Sequence, residues 1–460
     1  EGLIMKKKCL SMLLITGLAV TLIAGCGSTD SGNSENTKNK NAEAESNTNA
    51  EKENVSEENT AENGATAGDA VTITMMGWYD EPDMEPILAE VNRQLGGTYV
   101  MEYTYVDNTN FNTVLSTQLA AGEGPDIIMD GSNFPAEMKA GNVEDISGYD
   151  FVSEFNEAGM ALCTMGGKTY GIPSYGWFSG IWCNMDILNE CGLEVPKTFD
   201  EFVAACETIN AKGYTAYGFG LADDSTAYSC LMGYLENSFY HNNSANADGI
   251  GFDEKFAMGE VTMSGNIDDC VNKWYTLIEK GLIAPESLGI SCQEMLNTFK
   301  NGEVAFLHGG PWQYNELKES GVNFAMLPQL SETGKDVYVL GGPAACFGIN
   351  VNTKNHDGAE AALKALASIE VQQAFADANV GGTSYRSGVT PSMPEEYDPV
   401  RDTINSGNIA FPSNRWAVNM PSQSLIDEMA AQLQGVISGD ITADEFIKAI
   451  DTKADSIRYE

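Results

Sequence analysis

Hydrophobic and polar positions follow two different spacings in the segment after residue 70. Runs of β-branched and apolar residues predict strands, whereas apolar residues three and four positions apart predict amphipathic helices between them. The strands are expected at 71–76, 99–106 and 126–130, and the helices at 84–95 and 110–121. Alternation of strand and helix is typical of an α/β fold with mostly parallel sheets, in which ligands lie beyond the carboxyl ends of the strands.

Helix starts are marked further along the chain by capping boxes, in which a hydroxyl and a carboxylate three residues later satisfy exposed backbone donors. The pairs are Thr198 with Glu201, Ser291 with Glu294, and Thr442 with Glu445. Strands are expected between these helices, so the α/β alternation continues toward the C-terminus.

The stretch 170–186 combines glycines, which allow close backbone approach, with aromatic side chains that have flat apolar faces and polar edges. We interpret it as a backbone crossing beside a binding surface, with a buried aromatic strand as the alternative. A second crossing is expected at 337–350, where Gly341 and Gly342 lie in a β-rich run. The residues of the first crossing are Tyr170, Gly171, Tyr175, Gly176, Trp177, Gly180 and Trp182.

The first 70 residues have the pattern of an export signal and a tether. Three lysines at 6–8 precede an apolar run that ends at Gly25 and Cys26, so residues 1–25 are expected to be a signal peptide, with four extra residues before Met5. Residues 26–70 are polar and nearly free of large apolar side chains, which predicts a disordered acidic linker. An uncleaved anchor helix is the alternative, but the apolar run is short for a membrane span.

Length and charge narrow the class of protein. A chain of 460 residues exceeds what one hydrophobic core usually serves, so two domains are expected. Its 66 acidic and 25 basic residues give a formal charge of -41. A nucleic-acid-binding protein needs a surface rich in basic residues, so this class is not expected.

The cysteines and histidines give no metal-ligand pattern. Eight cysteines follow Cys26, none of them in a C-x-x-C pair, and the chain has only 3 histidines. We expect neither a metal nor another cofactor. Most of the cysteines lie among apolar residues and are expected to be reduced core residues. The presence of one or two disulfide bonds is the alternative.

Several segments together resemble the extracellular solute-binding proteins of sugar ABC transporters, the maltose-binding-protein-like family. The resemblance extends from about Val71 to the end of the chain, and the end of the apolar run resembles a bacterial lipobox. The segments are Leu119–Ile128, Tyr170–Pro173, Ile181–Asp186, Val195–Phe202, Phe299–Phe306, Gly310–Trp312 and, for the lipobox, Leu22–Cys26.

The resemblance implies a type II periplasmic-binding-protein-like fold with two α/β lobes and a ligand cleft between them. The N-terminal lobe is expected at 71–175 plus 350–398, and the C-terminal lobe at 180–345 plus 400–460. It further implies a monomer that carries a carbohydrate, expected to be an oligosaccharide, to a membrane permease. Cys26 is then lipidated and holds the protein at the outer face of the bacterial cell membrane.

A sugar site needs aromatic faces for stacking and planar polar groups that bind hydroxyls. The family places a tryptophan platform at the position of Trp312 and, in some members, at that of Trp416. Packing in the core is the alternative for each aromatic residue, and a solvated surface position for each carboxylate. The remaining candidates are Trp78, Tyr79, Asp80, Asp130, Asn133, Tyr175, Trp177, Asp223, Asp224 and Arg386.

Asp126 and Trp182 are expected to be structural. Asp126 should cap the turn after Pro125, and Trp182 should be packed in the second lobe. A secreted carbohydrate-active enzyme is the alternative function, since Asp223 and Asp224 are paired carboxylates, but adjacent residues do not face each other across a substrate. A nucleophile elbow G-x-S-x-G is absent from the sequence. A carrier of a non-sugar solute, or a lipoprotein that presents its ligand to a chemoreceptor, also remains open.

Overall fold

The computed structural model describes residues 70–222, 226–243, 251–335, 337–411, 416–417 and 419–459. They belong to one compact unit. The predicted signal peptide, Cys26 and the acidic linker lie outside the described residues. Within the described ranges, every helix is too short or too polar to span a bilayer.

The secondary structure alternates between strands and helices, as the sequence predicts. The strands are β1 (Val71–Gly77), β2 (Tyr99–Tyr105), β3 (Ile127–Asp130), β4 (Thr164–Met165), β5 (Lys168–Thr169), β6 (Ile172–Pro173), β7 (Tyr175–Phe178), β8 (Gly180–Asn184), β9 (Thr215–Gly218), β10 (Val304–Gly309), β11 (Phe324–Leu327), β12 (Val339–Pro343), β13 (Cys346–Ile349), β14 (Thr383–Ser384) and β15 (Ile409–Ala410). The α-helices are α1 (Glu81–Leu95), α2 (Asn108–Ala121), α3 (Phe134–Ala140), α4 (Glu157–Met160), α5 (Met185–Cys191), α6 (Phe199–Ala211), α7 (Thr226–Leu235), α8 (Phe252–Met258), α9 (Asp268–Glu279), α10 (Cys292–Lys300), α11 (Tyr314–Ser320), α12 (His356–Leu366), α13 (Ile369–Ala378), α14 (Asp398–Asn405), α15 (Ser422–Ser438) and α16 (Ala443–Ile457).

The first sheet has the strand order β2-β1-β3-β13-β6. Strand β1 runs parallel to β2 and β3, whereas β13 is antiparallel to β3 and β6. Helix α1 buries Met84, Ile87, Val91 and Leu95, one helical stripe, in the core around this sheet. We call all the buried residues that surround this sheet, including side chains of α12 and α13, the first core.

The second sheet has the order β11-β8-β10-β9. Every residue of β8 and β10 is buried, because helices cover both faces of this sheet. Strand β8 is antiparallel to β10 and β11, and β10 is parallel to β9. The surrounding core, which includes residues of α6, α7, α9, α15 and α16, is called the second core. The mixed pairing in both sheets departs from the mostly parallel sheets expected from the sequence.

A third sheet, of order β14-β7-β12-β15, connects the two cores. The chain leaves the first sheet at β6, passes through β7 and joins the second sheet at β8, and it returns through β12 to β13. Strands β7 and β12 lie so close that a Cβ atom on Gly341 would stand 2.4 Å from the backbone oxygen of Trp177. The two crossings predicted at 170–186 and 337–350 are confirmed. Each crossing brings the chain into the next sheet in the reverse direction, so β8 and β13 are antiparallel to their neighbours.

Local signals at the helix starts are largely confirmed. Ser291 with Glu294 and Thr442 with Glu445 form reciprocal capping boxes. Thr198 accepts a hydrogen bond from the Glu201 amide, but the Glu201 carboxylate accepts from the amide of Lys197.

Asp126 is structural, as expected, although it ties strands together rather than capping a turn. Its carboxylate accepts hydrogen bonds from the amide and hydroxyl of Thr74 in β1 and from the hydroxyl of Thr353.

Candidate functional site

A cavity of about 730 Å³ lies between the first and second cores and is lined by residues of both. Its volume is in the range of pockets that enclose small ligands. We call it the cleft, and the crossing strands β7 and β12 supply part of its lining. Its lining includes Trp78, Asn108, Phe111, Asn112, Asp130, Ser132, Asn133, Trp177, Tyr228, Phe411, Gln423, Asp427 and Gln434.

The first wall of the cleft is built at the carboxyl ends of the parallel strands. Trp78 follows the last residue of β1, Asp130 ends β3, and Asn133 precedes α3. The Trp78 ring packs edge-on against Phe111 of α2, with ring centroids 4.9 Å apart, which fixes its orientation. Parallel strands that end together bring these residues to one edge, so three sequence candidates meet there.

Asp130 is the most buried carboxylate on this wall, with 3% of its surface exposed. Its Oδ1 accepts a hydrogen bond of 2.7 Å from the amide of Gly131. Burial, together with the nearby charge of Glu137, raises its pKa to about 8. At neutral pH the carboxyl group is therefore largely protonated and can donate a hydrogen bond as well as accept one.

The crossing strands contribute an aromatic surface. Trp177 of β7 is half-buried and lines the cleft, where its ring stands edge-on to Phe411 at 6.2 Å and to Trp312 at 6.3 Å. Trp312 does not line the cavity itself, and 48% of its surface is exposed. The three rings form one aromatic cluster at the edge of the cleft.

The second wall is one face of α15. Gln423, Asp427 and Gln434 are separated by four and seven positions, so they project from the same side of the helix, with alanines between them. Gln423 Nε2 donates to Asp427 Oδ1 at 2.7 Å, and Gln423 Oε1 accepts from the hydroxyl of Ser132 at 2.6 Å. The bond to Ser132 spans the cleft and joins the two walls.

Five other sequence candidates lie away from the cavity, and four of them belong to the side of the first core. Tyr79 and Tyr175 pack on each other in the first core, with centroids 5.9 Å apart, and the Tyr79 hydroxyl lies 3.2 Å from the Ser174 hydroxyl. Asp80 is exposed at the residue before α1. Arg386 is bound to the first core, with Nε donating to the carbonyl of Ala367 and Nη1 paired with Glu154, both at 2.9 Å.

Trp416 is fully buried in the second core beside Phe256, and it does not line the cavity. Asp223 and Asp224 lie outside the described residues, directly after the lining residue Ala222. The structure therefore brings together four of the predicted residues, Trp78, Asp130, Asn133 and Trp177, with Trp312 adjacent to them.

Sequence reasoning missed the polar residues that helices contribute to the cleft. Asn108 and Asn112 come from the first turns of α2, Tyr228 from α7, and Gln423 and Gln434 from α15. The signal available for α15 was a stripe of polar and small side chains on one face of a predicted helix. An exposed face has the same pattern, so spacing alone could not separate the two.

The cleft lining is polar and acidic. Among the described lining residues the acidic side chains are Asp427 and the largely protonated Asp130, and they are accompanied by amides and hydroxyls. In the described part of the chain, no cluster of three or more histidine, cysteine, aspartate or glutamate residues is arranged to hold a metal ion. The arrangement offers stacking faces and hydrogen bonds from two sides.

Comparison with known families identifies the class of protein. The family model for bacterial extracellular solute-binding proteins matches residues 84–373, which shows that the chain belongs to this family. Among curated relatives, the multiple sugar-binding protein of Streptococcus mutans is 25% identical over 335 residues, which cover 69% of this chain and 76% of that protein. The maltodextrin-binding protein of Bacillus subtilis is 27% identical over 219 residues, or 45% and 48% of the two chains.

Solved structures give the same fold. A family 1 extracellular solute-binding protein from Bifidobacterium longum subsp. infantis superposes with a TM-score of 0.65 at 25% identity, covering 85% of this chain and all of the other. A chitin oligosaccharide binding protein gives a TM-score of 0.69 at 21% identity, covering 85% and 99%. The chain is therefore a two-lobed solute-binding protein of type II, and the cleft between the cores lies between its lobes.

Proposed function

We propose that the protein captures a carbohydrate, expected to be an oligosaccharide, in the cleft and delivers it to an ABC permease. The observation that carries this proposal is the pairing of aromatic faces, Trp78 and Trp177, with polar side chains from both walls. Sugars expose apolar C–H faces and many hydroxyls, so they match such a surface. Relatives whose names refer to sugars, among them a protein solved with raffinose, support the choice of ligand class.

In the proposed mechanism the ligand stabilises the closed arrangement by touching both walls. Trp78 and Asp130 act from the first core, whereas Gln423 and Asp427 act from the second. A ligand shifts the open and closed populations only by its difference in affinity for the two states. Contacts that exist only when the walls face each other supply that difference, and the permease then selects the closed form.

We further propose that the protein is an exported monomer that lipid on Cys26 holds at the outer face of the cell membrane. The lipobox-like segment before Cys26 and the extracellular family support this placement. The lobe boundaries proposed from the sequence near 175–180 and 345–350 lie at β7 and just after β12, two strands of the third sheet. The boundary near 398–400 lies at the start of α14, between β14 and β15 of the same sheet in the sequence. We propose no catalytic activity, because the cleft residues are explained by binding alone.

A thermal-shift screen of the purified protein against a panel of neutral mono- and oligosaccharides tests the proposal. A ligand that binds only the folded state at 100 times its Kd stabilises it by about 2.7 kcal/mol, so one sugar class should raise the melting temperature by several degrees. The sugar should be recovered unchanged after incubation. Release of a shortened sugar would contradict the proposal and support the carbohydrate-active enzyme instead.

A further inference from the structure

Two buried cysteines of the first core are in direct contact. Cys163 Sγ lies 2.8 Å from Cys346 Sγ, and neither side chain is exposed to solvent. Cys163 ends a 3-10 helix that starts at Ala161, and Cys346 is the first residue of β13. The two positions are 183 residues apart in the sequence, so only the folded first core brings them together.

Three other cysteines in the described part of the chain bond to groups that contain no sulfur. The Cys230 thiol lies 2.9 Å from the Tyr217 hydroxyl, Cys292 donates to the carbonyl of Gly220, and Cys270 faces the carbonyl of Ser238. These three environments fit the reduced core residues that the sequence predicts. The pair in the first core differs, because each sulfur has another sulfur as its partner.

We propose that Cys163 and Cys346 form a disulfide bond in the exported protein, an inference that rests on the extracellular location given under the proposed function. In this step each thiol loses its proton, one S–S bond forms, and the two electrons reduce an external small-molecule or protein disulfide to two thiols. Sulfur atoms already in contact need only small side-chain rotations to reach the bonding distance of about 2.05 Å. Disulfides form and persist in oxidising compartments outside the cytoplasm.

The order of events follows from burial. The thiolate is the reactive form, and burial, together with the neighbouring Cys163, raises the pKa of Cys346 well above its ordinary value. The bond therefore forms while the first core is assembling outside the cell, and the completed core then shields it from reductants.

The bond would lie directly behind the cleft. Cys346 is the register partner of Asp130 across β13 and β3, so the disulfide would anchor the strand beside the cleft carboxyl group. The loop that it closes contains β7 to β12, including both crossings and the whole second sheet. Closing a long loop restricts the unfolded chain strongly, so the oxidised protein is expected to melt several degrees above the reduced protein.

Peptide mapping tests the bond without any substitution. Trypsin cuts after Lys139, Lys168, Lys335 and Lys354, which places each cysteine alone in its peptide, 140–168 or 336–354. The full chain is refolded from the reduced state in a buffer of oxidised and reduced glutathione, then denatured, alkylated and digested without reductant. We expect the two peptides to be found linked and to separate with dithiothreitol; separate alkylated peptides, or links to other cysteines, would overturn the proposal.

Melting under oxidising and reducing conditions gives a second test. The wild-type protein should melt several degrees higher when oxidised, and this difference should disappear in Cys163→Ala and in Cys346→Ala. Cys230→Ala is the matched control, because Cys230 is also buried but lies in the second core with the Tyr217 hydroxyl as its partner, and its redox-dependent difference should match the wild type. An equal difference in all variants would overturn the proposal. Neither test uses a sugar, so failure of the disulfide and failure of carbohydrate binding are distinguishable.

Discussion

At the scale of single residues, the tryptophans divide into cleft and core groups. Trp177 is half-buried at the cleft, whereas Trp182 is fully buried and donates its ring N–H to Gln313 at 2.9 Å. The prediction that Trp182 is packed is confirmed. The two residues lie five positions apart in one crossing segment, so they form a matched pair for testing binding against stability.

We predict that Trp177→Ala weakens sugar binding at least tenfold and lowers stability only modestly, because it removes a stacking face. Trp182→Ala should destabilise the protein by about 3–5 kcal/mol, as expected for truncating a buried aromatic residue. Calorimetric titration and denaturant unfolding of both variants check this. A binding loss confined to Trp182→Ala would mean that their roles are reversed.

His308 makes stability depend on pH. It is buried in β10, and burial lowers its pKa from 6.5 to about 3 in the folded protein. Between these two pH values the unfolded chain binds a proton that the folded chain does not, so the stability present above pH 6.5 is lost as the pH falls toward 3.

Replacing His308 by asparagine should remove this part of the pH dependence. The difference in unfolding free energy between wild type and His308→Asn should change by up to about 1.4 kcal/mol per pH unit below pH 6.5 and stay constant from pH 7 to 8. Urea unfolding at a series of pH values measures it. A difference that does not vary with pH would show that the pKa of His308 is the same in the folded and the unfolded protein.

At the scale of elements, the closely packed crossing strands control the position of Trp177. Gly341→Ala would place a Cβ atom 2.4 Å from the Trp177 backbone oxygen, so β7 and β12 must separate. We predict a loss of more than about 1 kcal/mol of stability, as for other overpacked sites, together with weaker sugar binding. The control is Gly148→Ala, where an added Cβ has no atom within 4 Å. If both variants melt and bind alike, the crossing strands tolerate separation.

The elements themselves were largely predictable, because periodicity and capping are local. The β1 to β3 unit and the capping boxes at Ser291 and Thr442 follow from residues close in sequence. The antiparallel direction of β8 and β13 was not predictable, because it depends on how the crossing segments lead the chain from one sheet into the other. Helix α15 supplies a wall almost three hundred residues away from Ser132, and no local pattern specifies that meeting.

Among the residues that line the cleft, Trp78 and Asp130 could be predicted because they lie at the ends of strands, and Trp177 because it lies in a crossing segment. Tyr175 and Trp177 are two positions apart on one strand and so share a face, yet the first core buries Tyr175 before the strand reaches the cleft. Tyr175→Ala is therefore expected to destabilise the protein rather than to weaken binding alone.

At the scale of the whole molecule, a contact outside the cleft lining links α3 to the C-terminal segment after α16. The ammonium group of Lys139, next to the end of α3, lies 3.0 Å from the centre of the Tyr459 ring. Tyr459 is held by its amide, which donates to the carbonyl of Asn419. Neither side chain lines the cleft, so the contact favours the arrangement of the two walls in this structure without touching a ligand.

We predict that Tyr459→Ala shifts the protein toward an open arrangement. A cation–π contact of about 0.5–1 kcal/mol corresponds to a twofold to fivefold loss of apparent affinity, with an increased radius of gyration in the absence of sugar. Small-angle scattering and calorimetric titration measure the two effects. Tyr105→Ala is the control, because Tyr105 is exposed on β2, and a loss of affinity equal in both variants would contradict this role.

The central claim is that the cleft binds a carbohydrate without altering it. Calorimetric titration of the protein with the sugar selected by the thermal-shift screen, followed by mass analysis of the recovered sugar, tests this most directly. We expect one sugar bound per chain and recovered intact, with binding weakened at least tenfold in Trp177→Ala and retained in Gly148→Ala. Absence of binding by every sugar of the panel, or binding that Trp177→Ala leaves unchanged, would contradict it.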